Sequence, residues 1–283
     1  MKRIVKELIF FIWDMLQFIG PLHYLFFVQK FRKELKSSGD KKKLFIVGNG
    51  PSAIDAFEKA KEQRSNVHLC TVNFAISNNV FFDLKPELHF FADPFFLSHV
   101  EDDKVKKILD TIKKINWNMS ILIPYSANND FYKLLKANKN ISVFRFSSQL
   151  WETKGLIAKK IKMKLWNQGW LAPRLQNVIV ACIFYAIHLG YTNMELYGVE
   201  HSWLNDISVN EKNQVCLIDR HFYGEKKIPW EKNDKDIFKM HEILNTLSFT
   251  FKAYWDLNEF AMKKNVHIKN MTKNSFIDAF DRG

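Results

Sequence analysis

The turn Gly48-Asn49-Gly50-Pro51-Ser52 holds residue types whose order suits chemistry on a phosphate. Two glycines permit positive φ and keep no Cβ between backbone and ligand, while asparagine tolerates the left-handed region and adds an amide. Pro51 and Ser52 suit the first positions of a helix that runs on through Ala60. A strand, a glycine turn and a helix N-terminus together make an anion site, so Gly48, Asn49, Gly50 and Ser52 are candidate ligand contacts. The plainer reading is a tight strand-to-helix turn without a ligand. The spacing is neither Gly-x-Gly-x-x-Gly nor a P-loop, because no Gly-Lys-Ser/Thr comes after it, which weakens NAD and ATP as ligands.

Further candidates stand at the ends of other expected elements. Asn73 comes directly after a strand over 67–72 and should converge with Asn49, since ligands of open α/β sheets lie outside the carboxyl ends of the strands. Asp93 stands at the end of a third strand and either binds a ribose or amide or caps the next segment of chain. Arg174 precedes an apolar helix beginning at Asn177, where a guanidinium would meet a phosphate or carboxylate. Gly198 and Glu200 close a later strand. Asp219 to Glu225 reads as a loop dense in functional groups: His221 is a candidate general base, because a free imidazole is largely neutral at pH 7, and Arg220 and Tyr223 are candidate donors to a departing phosphate. The bland alternative for His221 is a surface or capping imidazole, and His188 reads as a core histidine. Glu101-Asp102-Asp103 looks like a helix start rather than a metal motif, and the sequence does not require a metal.

The elements that must position these groups alternate. Leu44 to Val47 is a four-residue apolar run, the mark of a parallel strand covered on both faces. Further strands are expected over 67–72, 87–92, 121–124, 194–199 and 266–268, with helices over 105–115, 177–189 and 236–264. That order predicts an α/β, Rossmann-like, doubly wound parallel sheet over 44–283. The 283 residues are 47% hydrophobic and 25% charged, an ordinary globular balance enriched in aromatics by 26 Phe and 8 Trp. The excess of 42 Lys+Arg over 30 Asp+Glu, +12, favours an anionic partner: nucleic acid, anionic lipid or a sugar nucleotide. No nucleic-acid motif accompanies it. Cys70, Cys182 and Cys216, odd in number and far apart, read as reduced core thiols of a cytosolic protein.

Residues 1–43 read as an amphipathic, membrane-associating segment. Ile4, Val5, Leu8, Ile9, Ile12, Met15, Leu16 and Ile19 recur at helical spacing, Gly20 and Pro21 interrupt, and an aromatic run extends from His23 to Phe31. The apolar runs fall short of the roughly 20 residues a spanning helix needs, and Asp14 and Gln17 also argue against spanning. Lys2, Arg3, Lys6, Lys30, Arg32, Lys33, Lys36 and Lys41 to Lys43 would face anionic headgroups, with Phe10, Phe11, Trp13, Phe26 and Phe27 in the interface. The alternative is a helix pair packed on the protein's own core or on a second subunit.

Taken in order, Gly48-Asn49-Gly50-Pro51-Ser52, Asn73, Arg174 before the helix through Leu189-Gly190-Tyr191, Tyr197-Gly198-Val199-Glu200 and Asp219-Arg220-His221 resemble the bacterial sialyltransferases of glycosyltransferase family 42 and, more loosely, their nonulosonic-acid and Kdo-transferring relatives. The resemblance implies a single Rossmann-like domain (a GT-A-like variant) with a helical lid, here around 151–173 and 203–230. It also implies a CMP-sugar as donor substrate, no separate cofactor, no metal and inversion at the transferred carbon. His221 would be the base, and Asn49, Asn73 and Arg174 would touch CMP or the sugar. Glu200 stands where that family has aspartate, and His201, Ser202 and Trp203 where it has the tyrosines that steady the leaving phosphate, so leaving-group assistance falls to Tyr223, Arg220 or His201; Asp93-Pro94 stands where it has Asn-Pro, which disturbs a donor contact. The implied activity is transfer of sialic acid or a related keto-acid sugar to a bacterial surface glycan or glycolipid, as in lipooligosaccharide or capsule biosynthesis. The enzyme would work peripherally at the cytoplasmic face of the inner membrane, with a homo-oligomer as one possible form. The alternative on the same fold is a nucleotide-dependent phosphotransferase of the pterin diphosphokinase-like group.

Overall fold

A computed structural model of the chain describes residues 2–22, 43–93, 100–148, 150–221, 224–232 and 236–283. The chain opens with helix α1 (Lys2–Leu22). Next come β1 (Lys43–Val47), α2 (Ala53–Glu62), β2 (Val67–Val72), α3 (Val80–Leu84), β3 (Leu88–Phe90) and α4 (Asp103–Lys113). These lead to β4 (Met119–Pro124), α5 (Asn129–Lys136), β5 (Ile141–Phe146), α6 (Leu156–Asn167), α7 (Val178–His188) and β6 (Asn193–Tyr197). The remainder is β7 (Ile207–Val209), β8 (Val215–His221), β9 (Gly224–Pro229), α8 (Met240–Met262), β10 (His267–Asn270) and β11 (Asp281–Arg282).

One sheet of eight strands has the order β11-β10-β6-β1-β2-β3-β4-β5, and its pairings are parallel. The predicted α/β doubly wound architecture is therefore the observed one. β1 shows why its sequence is apolar throughout: Leu44 and Ile46 enter one core cluster, Phe45 and Val47 the other, and all four are fully buried. From β1 the chain winds outward through β2 to β5, then returns to place β6 on the other flank of β1. The carboxyl ends of β1 and β6 thus form the topological switch point, where open sheets of this kind hold ligands.

Two regions differ from the sequence reading. Asp219 to His221, with Gly224 and Glu225, are strand rather than loop: they belong to β8 and β9, with Arg220 opposite Glu225 and His221 opposite Gly224, in a three-stranded antiparallel sheet. The apolar run Val215 to Ile218 is too short to declare a strand without the partners that β7 and β9 supply. In the first half, α5 and β5 complete a βα unit to which the sequence reading assigned no elements. β5 lies at the sheet edge with a mixed burial pattern, which removes the continuous apolar signal of an interior strand.

α1 continues through the expected break at Gly20 and Pro21 and ends at Leu22. Pro21 falls in its last turn. The helix lies on α6. Asp14, fully buried, accepts hydrogen bonds from the backbone N–H groups of Lys154 (2.9 Å) and Gly155 (2.9 Å), and its carbonyl accepts from Trp151 Nε1 (2.7 Å). Phe18 packs on Trp151 at 4.6 Å. The opposite face leaves Ile4, Val5, Leu8, Ile9, Ile12 and Leu16 exposed. Packing on the protein's own body therefore accounts for one side of α1. Among the described residues no helix is long and apolar enough to cross a membrane. Phe26, Phe27 and the basic residues from Lys30 to Lys42 lie outside the described residues. The expected lid segment 151–173 buries Trp151, Ala158, Trp166, Leu171 and Ala172 in the larger core cluster. Cys70, Cys182 and Cys216 are buried free thiols.

Candidate functional site

Two turns interlock at the switch point. Gly48 N–H donates to Tyr197 O (2.8 Å) and Gly50 N–H to Gly198 O (2.9 Å), which ties the exit of β1 to the exit of β6. A Cβ on Gly48 would stand 2.4 Å from Gly198 O, and Gly198 itself holds φ +62° with its open side 2.9 Å from Ala53 Cβ. Glycine is required here by close approach of backbone to backbone.

The N-terminus of α2 is filled from within. Glu200 Oε1 accepts the Ser52 N–H at 2.8 Å, and a Cβ on Gly50 would fall 1.7 Å from Glu200 Oε2. The carboxylate takes the place at the helix dipole that the sequence reading gave to a ligand phosphate. Ser52 contributes its amide, while its hydroxyl is buried and has no partner among the described residues. Glu200 Oε2 is likewise buried and, among the described residues, unbonded.

Beside this junction opens a cavity of about 610 Å³, within the usual range for small-molecule sites. Its lining unites Gly48, Asn49, Gly50, Asn73, Asn177, Gly198 and Glu200, seven of the residues singled out from sequence. Asn49 and Asn73 converge as expected: Asn49 Nδ2 donates to Val72 O (3.3 Å), and Asn73, at φ +46°, accepts the Ala92 N–H on its Oδ1 (3.1 Å). Asn73 thereby keeps its side-chain NH2 without a partner among the described residues. Asn177 caps α7, its Oδ1 accepting the Ile179 N–H at 2.8 Å. Asn177, Val178 and Ile179 line the cavity together, so the N-terminus of this 11-residue helix opens on it.

Leu217 and Ile218 of β8 also line the cavity. His221 lies three residues further along that strand, roughly 10 Å at strand rise. Its backbone belongs to β8, and its side chain, with those of Asp219 and Arg220, lies outside the described part, as do Pro94 and the whole of Tyr223.

His201 received little weight from sequence and proves the most constrained group in the cavity wall. It adopts φ +51°, is 8% exposed, stacks on Trp203 at 4.5 Å and bonds Tyr254 Oη through Nε2 at 2.6 Å. A buried non-glycine residue in the left-handed region is a costly conformation that concentrates at functional sites. Burial lowers its pKa to about 4, so the ring is neutral at physiological pH. Tyr254 is fully buried, and His201 is the partner its hydroxyl finds among the described residues. Donation from this hydroxyl to Nε2, the direction that leaves no buried O–H without an acceptor, puts the proton of the neutral ring on Nδ1. A positive φ has no sequence signature outside glycine and asparagine, and nothing local announces Tyr254, 53 residues away.

Other candidates lie elsewhere. Arg174 does not line the cavity: it forms an ion pair with Glu152 and lies over the Phe249 ring at 3.8 Å. Asp93 sits beyond β3, its N–H 3.5 Å from Asn73 Oδ1. His188 packs among Phe184 (4.8 Å) and Phe260 (6.0 Å), as a core histidine should. A broader hollow of about 730 Å³ holds Glu101, Asp102, Asn128 and Asp130, but Asp102 and Asn128 cap α4 and α5 there. Among the described residues no three His, Cys, Asp or Glu side chains gather as a metal site.

No family model matches the sequence, and no curated protein is similar to it at a significant level. Among solved structures, the chain is similar to one described as the structure of MAf glycosyltransferase from Magnetospirillum magneticum AMB-1, with 12% identity and a TM-score of 0.48. The likeness covers 87% of this chain and 34% of the other, so the chain spans about a third of that protein's length.

Proposed function

We propose that this chain is a glycosyltransferase that takes a sugar from a nucleotide donor, with a CMP-linked sialic acid or related keto-acid sugar as the donor class. The observation that carries the reading is the convergence of Asn49, Asn73, Asn177 and His201 on one cavity at the switch point. Amide groups suit a base and ribose. The leaving phosphate would lie at the N-terminus of α7, because Glu200 already occupies that of α2. His201 Nδ1–H, held neutral and oriented by Tyr254, would donate to the charge that grows on the phosphate as the glycosidic bond breaks.

In this reading His221, carried by the strand whose Leu217 and Ile218 wall the cavity, accepts the acceptor hydroxyl proton. The oxygen attacks the anomeric carbon from the face opposite CMP, so configuration inverts, without a metal in the step. Arg220 and Tyr223 supply further donors to the phosphate. The exposed apolar face of α1 and the positive net charge suit peripheral attachment to an anionic, cytoplasmic membrane face, where a glycolipid or surface-glycan acceptor would be met.

The test is binding of CMP, UMP, GMP and AMP, and of ATP with magnesium, by thermal shift with and without EDTA. CMP-selective stabilisation indifferent to EDTA is expected, about 2.7 kcal/mol at 100 times the dissociation constant. Silence toward CMP with a magnesium-dependent response to ATP would instead support phosphotransfer.

A further inference from the structure

Beyond β6 the chain turns within four residues, and both ends of that turn are left-handed. Gly198 and His201 hold φ +62° and +51°, with Val199 and Glu200 between them. For the histidine this is a conformation that persists only where the surroundings hold it. The holding groups come from the far end of the sequence. Val199 N–H donates to Thr272 Oγ1 at 3.2 Å, and Val199 O accepts from Ser275 Oγ at 2.6 Å, so two hydroxyls take both backbone groups of one residue. Next to it, Glu200 O accepts the Phe276 N–H at 2.8 Å.

These partners are themselves fixed. Ser275 Oγ also accepts from Asn270 Nδ2 (3.0 Å) and from the Ile277 N–H (3.2 Å), which uses its bonding capacity in full. Thr272 Oγ1 gives its own proton to Leu196 O (3.4 Å). Asn270, Thr272 and Ser275 are buried, so water does not stand in when one of these bonds is lost. From the surface, the Arg282 guanidinium donates to Thr272 O (3.2 Å) and Ser275 O (2.7 Å). The same segment reaches the partner of the histidine ring: Phe280 packs against Tyr254 at 6.0 Å, and Tyr254 is the residue whose hydroxyl meets His201 Nε2. One stretch of chain thus touches both the turn that carries His201 and the ring that receives it.

We infer that Thr272 and Ser275 are positioning residues, whose hydroxyls hold Val199 so that the His201 ring reaches Tyr254 and keeps its proton on Nδ1. Neither lines the cavity, so neither touches a ligand there. The inference rests on the reading of His201 as the donor to the leaving phosphate, and it names what keeps that donor in place.

Histidine ring ¹⁵N spectra of the ligand-free full chain at pH 7 test it, in the wild type and in Thr272→Val, Thr272→Ser and Ser275→Ala. The His201 signals are identified by their loss in His201→Asn. In the wild type its two ring nitrogens should lie far apart, as in a ring held in one tautomer. In Thr272→Val and Ser275→Ala they should move toward each other as the other tautomer gains roughly tenfold, in keeping with one lost buried hydrogen bond. Thr272→Ser keeps the hydroxyl and should keep the wild-type signature. If the buried variants do not fold, Arg282→Gln loosens the segment from the surface and should move the nitrogens the same way. A segment that merely stabilises the fold would lower the urea midpoint and leave the His201 signature of the folded protein unchanged; that result, or an equal movement in Thr272→Ser, overturns the inference. Since no nucleotide is present, the outcome is separate from the reading it rests on: wild-type protein that ignores CMP would remove the transferase reading and leave the positioning intact.

Discussion

Replacing Asp14 with alanine removes the group that seats α1. Its carboxylate accepts from Lys154 N–H and Gly155 N–H, the two amides that precede α6, and Glu7 Oε2 takes the Leu156 N–H at 3.0 Å just beyond. Gly155 is buried, so its amide has no water to turn to, whereas Lys154 is exposed and regains solvent. One sealed hydrogen bond to a charged acceptor nets about 1.5–3 kcal/mol, and a lost helix cap adds roughly 1. The sum, about 3 kcal/mol, multiplies the undocked population of α1 by roughly a hundred. Hydrogen exchange followed by mass spectrometry reads this directly: peptides from α1 and the first turn of α6 should exchange faster in Asp14→Ala by that factor, while β1 and β2 stay protected. Asp14→Asn, which keeps one oxygen, should fall between. Exchange in α1 indistinguishable from wild type would refute the docking argument.

Gly50→Ala forces a methyl 1.7 Å from Glu200 Oε2 and 2.7 Å from Gly198 O. A cost of about 3 kcal/mol in urea unfolding is expected, and Glu200→Ala should rescue it only in part because the backbone oxygen remains. His201 makes stability sensitive to acid. Above pH 6.5 the ring is neutral folded and unfolded and contributes nothing; below it the unfolded chain binds a proton that the folded state, with a pKa of about 4, refuses. Stability should therefore fall as pH drops from 6.5 toward 4, by up to about 3 kcal/mol, and His201→Asn should remove that share. The part due to His89, lowered by burial to about 3, stays. Histidine ¹⁵N shifts should show Nδ1 protonated on His201 at pH 7, and Tyr254→Phe should release that preference; an Nε2–H ring in the wild type would refute it.

Periodicity determined much of the framework without help from tertiary contacts. The apolar run at 44–47 and the strand at 67–72 match β1 and β2 within a residue, and the helix from Asn177 is α7 with Asn177 as its cap. These signals are local, because a strand buried on both faces and a helix buried all round must be apolar wherever they fold. Asn49 and Asn73 were legible for a related reason: both stand at carboxyl ends of neighbouring parallel strands, and the pairing of β1 with β2 brings them together.

The three-dimensional structure alone decided which group meets which. Glu200 reaches Ser52 across 148 residues of chain and converts an apparent anion site into a filled one. Arg174, placed by its neighbours at the mouth of a helix, turns instead to Glu152 and Phe249. Asp14 looks like a flaw in an apolar helix and is the acceptor that seats it on α6. Spacing along the chain carries burial and periodicity, since those depend on one residue's own neighbours. The partner of a charge depends on the free energy of desolvating it against everything else that could face it, and that is known only once the chain has closed.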